Sequence, residues 1–171
     1  MKAKFIFTLS DIIAIVIATI LFSFGTKEKL SIDGAYSIVE VQTVNSDGSL
    51  TSVFPKESLV SFSNNYYSFC WTSNISDVHT WQIADSIKLS RYNQSIINAG
   101  TFELKDSVLT TKATFALNPM FVNGVAKFKY SFVGDTLVLR GLSVFSSDNI
   151  PHPVYANGSY IVSKLLKVRD K

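Results

Sequence analysis

Val125-Ala126-Lys127-Phe128-Lys129-Tyr130-Ser131-Phe132-Val133 and Thr136-Leu137-Val138-Leu139-Arg140-Gly141-Leu142-Ser143 flank the dipeptide Gly134-Asp135. Two alternating runs around such a dipeptide predict a β-hairpin, because Gly-Asp suits the mirror-image turns that match strand twist. A two-residue loop fixes the register. Val133 then faces Thr136, Phe132 faces Leu137, Tyr130 faces Leu139 and Lys129 faces Arg140. One face carries Ala126, Phe128, Tyr130, Phe132, Leu137 and Leu139, and the other Lys127, Lys129, Ser131, Val138 and Arg140. A one-residue slip would exchange the two faces, so the pattern itself selects this pairing.

The remaining chain reads as neighbours of that hairpin. Its 171 residues can bury a real core, and 47% hydrophobic against 17% charged residues excludes a disordered chain. Phe is abundant at 13 and favours strands. A formal charge of +3, with no basic run interleaved with aromatics, gives no reason to expect a nucleic-acid partner. The single cysteine, Cys70, excludes an internal disulfide and reads as a small buried apolar residue.

Residues 1–25 differ from everything after them. Lys2 and Lys4 precede Ile12 to Phe24, an uncharged apolar run of 13 residues. That length lies in the signal-peptide range and is short of the ~20 residues of a spanning helix. Ser23 and Gly25 place small residues before a cleavage point at Thr26. The segment is a signal peptide or an uncleaved N-terminal membrane anchor. Both readings export a domain spanning 26–171, with the membrane touched only through the N-terminal segment if it is kept.

In chain order, Gly34 to Gln42 reads as a first strand with Tyr36, Ile38 and Glu40 on one face, followed by a turn at Asn45-Ser46-Asp47-Gly48. A second strand around Ser49 to Phe54 stops at Pro55, which an interior strand position would not tolerate. Leu59 to Ser63 and Tyr66 to Trp71 flank Asn64-Asn65, a second tight hairpin, since Asn tolerates positive φ. Alternation then disappears from Thr72 to Asn98, where Ile83, Ala84, Ile87, Arg91 and Tyr92 predict one helix over about Ala84 to Asn93 with a polar cap upstream. Sheet structure is expected to resume at Gly100. A third hairpin turns at Lys105-Asp106, pairs Leu104 with Ser107, and places Phe102, Leu109, Phe115 and Leu117 on one face. Tyr155 to Val168 supplies the last strand. About eight short strands joined mainly by hairpins, with one short helix inserted mid-chain, predict an all-β protein: a single antiparallel up-and-down β-barrel, because edges must be removed or covered.

Four stretches carry a family resemblance. Gly34-Ala35-Tyr36-Ser37-Ile38-Val39 looks like the lipocalin Gly-x-Trp opening, with Tyr36 where tryptophan is usual. Phe62 to Ser68, Asn98 to Leu104, and Gly134 to Leu139 resemble the second hairpin, the strand after the helix and the terminal hairpin of the bacterial lipocalin-like domain proteins. In order and spacing they span about Gly34 to Leu165. The resemblance implies a small lipocalin-like barrel of the bacterial envelope (periplasmic, surface-held or secreted) with a central cavity and no catalytic residues to carry over.

The residues expected to line the lumen are Tyr36, Ile38, Glu40, Phe102, Phe115, Phe128, Tyr130, Phe132, Leu137 and Leu139. The wider aromatic set of Phe62, Tyr66 and Trp71 either fills the interior or lines a pocket. Lys127, Lys129 and Arg140 suggest an anion site, yet the apolar opposite face must be buried at ~1.5–3 kcal/mol per large side chain, which puts the basic face on the outside. His79 and His152 have no Cys, His or carboxylate partner at ligand spacing, so no metal, cofactor or catalytic residue is expected. Three functions follow: an exported, monomeric barrel binding a small apolar or amphipathic molecule, an envelope module with a filled barrel, or a barrel enzyme of isomerase or cyclase type with Glu40 as acid or base. A continuous lumen above about 300 Å³ favours the first.

Overall fold

The computed structural model describes residues 31–75 and 77–169. The fold below is that of the compact unit 32–171. The segment expected to target or anchor the chain, 1–25, lies outside the described residues.

Among the described residues, nine strands form one antiparallel sheet: β1 (Gly34–Val44), β2 (Leu50–Val53), β3 (Glu57–Ser63), β4 (Tyr66–Thr72), β5 (Ser95–Lys105), β6 (Val108–Ala116), β7 (Val125–Val133), β8 (Thr136–Phe145) and β9 (Tyr160–Lys167). Short β2 and longer β3 lie one after the other along the same edge of β1, against Val41–Val44 and Gly34–Tyr36 respectively. They act as one wall strand broken at Phe54-Pro55-Lys56, where the proline has no amide to give to a ladder. β9 returns to pair with β1 from Tyr36↔Lys167 to Val44↔Tyr160, closing an eight-strand up-and-down barrel. Closure removes the open edges that would otherwise recruit other chains.

The barrel has two unlike ends. Three tight turns mark one of them. Asn64-Asn65 and Asp106-Ser107 hold positive φ at both central residues, whereas at Gly134-Asp135 only the glycine does, at 57°. The last hairpin has the register its sequence dictates: Val133↔Thr136, Phe132↔Leu137, Tyr130↔Leu139 and Lys129↔Arg140. The β5–β6 turn falls at Asp106-Ser107, one residue later than its sequence suggests, so Leu104 pairs with Leu109 and Phe102 with Thr111. A pairing shift of two leaves every side chain between the turn and the bulge at Thr114 on its expected face. The opposite end carries the long connections, with α1 (Asp85–Asn93), a 3₁₀ turn (Pro119–Phe121) and α2 (Pro153–Ala156).

Helix α1 starts one residue after the expected point, capped by Ala84 without a side-chain hydrogen bond, and buries no residue. Its stripe is therefore not core. Strand β5 starts at Ser95 rather than Gly100, and β9 at Tyr160 rather than Tyr155, because Pro153 opens α2.

The core gathers at the turn end. Tyr36, Phe62, Leu109, Leu137, Leu139 and Leu165 are fully enclosed, each contributing ~1.5–3 kcal/mol by burial. Phe62 meets Tyr36 edge-on at 6.1 Å and Phe102 at 5.4 Å. The Tyr36 hydroxyl donates to the Ile32 carbonyl at 3.0 Å, so the chain entering β1 plugs this end with the buried Ile32.

Three β-bulges decide which side chains face inward. In β1 the pairing skips between Ile38 and Glu40, turning both Val39 and Glu40 outward. In β6 the extra residue Thr114 sets Phe115 against Ala99 on the outer wall and brings Ala116 inside. In β8 the extra residue Leu142 leaves Gly141 and Val144 inside. Outside β4, Cys70 stands half-buried between Leu59 and Ile97, its sulfur 3.3 Å from the Ser68 hydroxyl, and not in the core where a free cysteine usually sits. Tyr66 also faces out, because Phe62 pairs with Tyr67 and that pair takes the inner face.

Candidate functional site

The lumen is filled at its turn end and hollow at its loop end. A cavity of about 150 Å³ lies there, walled by Phe69 and Trp71 of β4, Ile96 and Asn98 of β5, Thr111 and Ala113 of β6, Phe128 of β7 and Ile161 and Ser163 of β9. Val41, Phe62, Tyr67 and Leu109 form its floor towards the packed core. This is half the roughly 300 Å³ above which a lumen favours a ligand, and it limits any occupant to about one ring: an apolar protein cavity of about 150 Å³ holds benzene.

The loops supply the mouth. Pro153 opens α2 at a position that needs no amide, and His152 caps it, its Nδ1 accepting from the Val154 amide at 3.3 Å. His152 stacks on Phe121 of the 3₁₀ turn at 5.8 Å, the ring planes 26° apart, and meets Tyr155 edge-on at 6.0 Å. All three rings line the cavity. Because Nδ1 accepts, the neutral ring carries its proton on Nε2. Burial lowers the His152 pKa and so keeps the ring neutral. Burial also pushes Tyr67 and Tyr155 up to about 12, against hydrogen bonding with Thr111 and with the Ile161 backbone, which pulls the other way. The three ionisable groups of the site are therefore uncharged near neutral pH.

Most of the expected lumen residues stand elsewhere. Tyr36, Ile38, Phe102, Leu137 and Leu139 do face inward, but as the packed core of the turn end, and Tyr130 and Phe132 pack against that core. Phe128 alone of the ten lines the cavity. Phe115 is 62% exposed on the outer wall, turned there by the β6 bulge. Glu40 is also outside: Lys164 binds it at 2.7 Å, Ser52 donates to its other oxygen at 2.7 Å, and its side chain is 16% exposed. The Lys164 hydrogen bond, then that of Ser52, holds its carboxyl below the usual carboxylate range. A carboxylate so held, outside the barrel, has no access to the lumen as an acid or base.

The basic strip is on the outer wall, as the hairpin pattern requires. Arg140, paired with Lys129 across β7 and β8, lies over the Tyr160 ring at 4.2 Å, a cation–π contact that offsets the like charge opposite it.

Residues that the sequence did not single out include Asn98, Thr111, Ser163, Phe121 and Tyr155. Asn98 was legible in principle, since Ile96, Asn98, Gly100 and Phe102 recur with period two. Compared with family models, with curated proteins and with solved structures, the chain matches none.

Proposed function

We propose that the protein is an exported lipocalin-like barrel that binds a small, mainly apolar molecule at the loop end of its lumen. The observation that carries this reading is the hollow half-barrel itself. A wall of Phe69, Trp71, Phe128 and Ile161 surrounds space that side chains leave unfilled, next to a turn end packed without such space. Apolar concavities edged by a few polar groups are what small-molecule sites consist of. Strand order and closure support the lipocalin-like resemblance, and the charged start and apolar run of residues 1–25 support export. The outward, ion-paired Glu40 speaks against the barrel-enzyme reading built on it.

The second reading, an envelope module that acts through its exterior, draws support from the segment before β5. Trp81 there is 98% exposed, and helix α1 buries nothing. Native mass spectrometry of the full chain purified from its own source separates the two. Lumen binding predicts a population carrying one small adduct that denaturation releases. An apo mass alone, with no uptake of small aromatic or acyl probes, contradicts it and leaves the exterior as the working surface.

A further inference from the structure

The chemistry of the cavity wall narrows the ligand class beyond an apolar molecule. Among the described residues that line the cavity, none is Lys, Arg, Asp or Glu. An ionised ligand would enter with no counter-charge and lose its hydration, a cost of many kcal/mol in an apolar site. The occupant is therefore neutral. A fatty carboxylate is excluded on this ground and also by the one-ring size of the space.

The wall is not uniformly apolar. Thr111 is committed, its hydroxyl donating to the Ala126 carbonyl at 3.5 Å. The Asn98 carboxamide and the Ser163 hydroxyl, by contrast, form no hydrogen bond among the described residues, although Ser163 is only 7% exposed. No side-chain polar atom among those residues is both sealed from any space and unpaired, so these two groups open onto the cavity. Strands β5 and β9 lie four apart round an eight-strand wall, so Asn98 and Ser163 face the cavity from opposite sides. A carboxamide offers two donors and a carbonyl acceptor, and a purely hydrocarbon guest would leave all of them without water or partner.

We propose that the loop-end cavity takes a neutral, single-ring aromatic molecule bearing a donor–acceptor group such as a primary amide, with Asn98 and Ser163 as its polar partners. The inference rests on the lumen-binding reading above and adds the chemistry of the guest. The ring lies among Phe69, Trp71 and Phe128, and its polar edge pairs with the Asn98 carboxamide. Sites built to hydrogen-bond a guest discriminate strongly against the analogue without the group, because their own polar atoms are left unpaired.

The test is a titration of the full chain, followed by NMR, with three probes: benzamide, toluene and decanoate. The expected order is benzamide first, toluene at least about tenfold weaker, and no binding of decanoate. Asn98→Leu is expected to reverse the order of the first two, and Ser163→Ala to weaken benzamide severalfold while leaving toluene unchanged. The Ser163 variant carries the test alone if Asn98→Leu does not fold, with thermal unfolding as the check on each. Toluene binding the wild type as tightly as benzamide, decanoate binding best, or neither variant changing benzamide affinity overturns the polar assignment and leaves the lumen reading standing. Binding of no probe at all overturns both.

Discussion

Tyr155 lies directly over Gly141: a methyl group at Gly141 would overlap the tyrosine hydroxyl and its ring. The absent side chain in β8 is what lets a residue of the mouth reach into the wall. Gly141→Ala is predicted to push Tyr155 out of place, lowering stability by ~1–3 kcal/mol, as overpacking does, and disordering the cavity mouth. Urea unfolding measures the loss. Because the obstacle is one side chain, Tyr155→Ala in the same molecule should remove most of the Gly141→Ala penalty.

Gly100 makes the contrasting case. A methyl group there would overlap the Lys112 carbonyl and the Thr114 amide at the β6 bulge, and backbone cannot swing aside. Gly100→Ala should cost at least as much as the most severe overpacking, about 3 kcal/mol, with no single second substitution restoring it. Recovery by any one side-chain truncation, read in the same unfolding experiment, would contradict the bulge geometry.

Phe62 and Phe115 test the same bulge from the other side. Phe62 is enclosed between Tyr36 and Phe102, so Phe62→Ala should cost ~3–5 kcal/mol. Phe115 stands on the outer wall, and Phe115→Ala should change stability by no more than about 0.5 kcal/mol. Equal losses from the two would place Phe115 in the core and refute the bulge.

Two groups give separable pH dependences. His152 is held below its ordinary 6.5 by burial, so the folded state binds its proton less readily than the unfolded state does. Its contribution is full above pH 6.5 and is lost as pH falls from there through the lowered folded value. Glu40 is held below its ordinary 4.5, chiefly by the Lys164 hydrogen bond, so its contribution is full above 4.5 and is lost as pH falls further. Melting temperature against pH should flatten just below 6.5 in His152→Gln and below 4.5 in Glu40→Gln. A variant curve parallel to wild type in its own window removes that assignment.

The barrel was legible because hairpins are local. Gly134-Asp135 and Asn64-Asn65 announce their own turns, and alternation then places Phe128 and Leu139 inward without knowledge of any partner strand. Its hollow end was much less legible. The bulges at Val39 and Thr114 add one residue each to an unbroken alternating pattern, and only pairing with a neighbour reveals them. That is why Glu40 and Phe115 read as lumen residues and are not. Asn98 was hidden for the opposite reason. A polar residue in a period-two run looks like a loop until closure of the wall puts it inside. Cavity residues such as Phe121 and Tyr155 come from connections with no periodicity at all, so nothing in the sequence joins them to the site.

In the proposed function the loop end of the barrel, and not its turn end or outer wall, receives a guest. Amide-resolved NMR of the full chain titrated with benzamide is the test. Saturable shifts at Phe69, Trp71, Asn98, Thr111 and Ser163, with Phe102, Leu137 and Leu139 unmoved, are the predicted result. Shifts confined to those three core residues or to outward-facing Phe115, or no saturable shift anywhere, would contradict it.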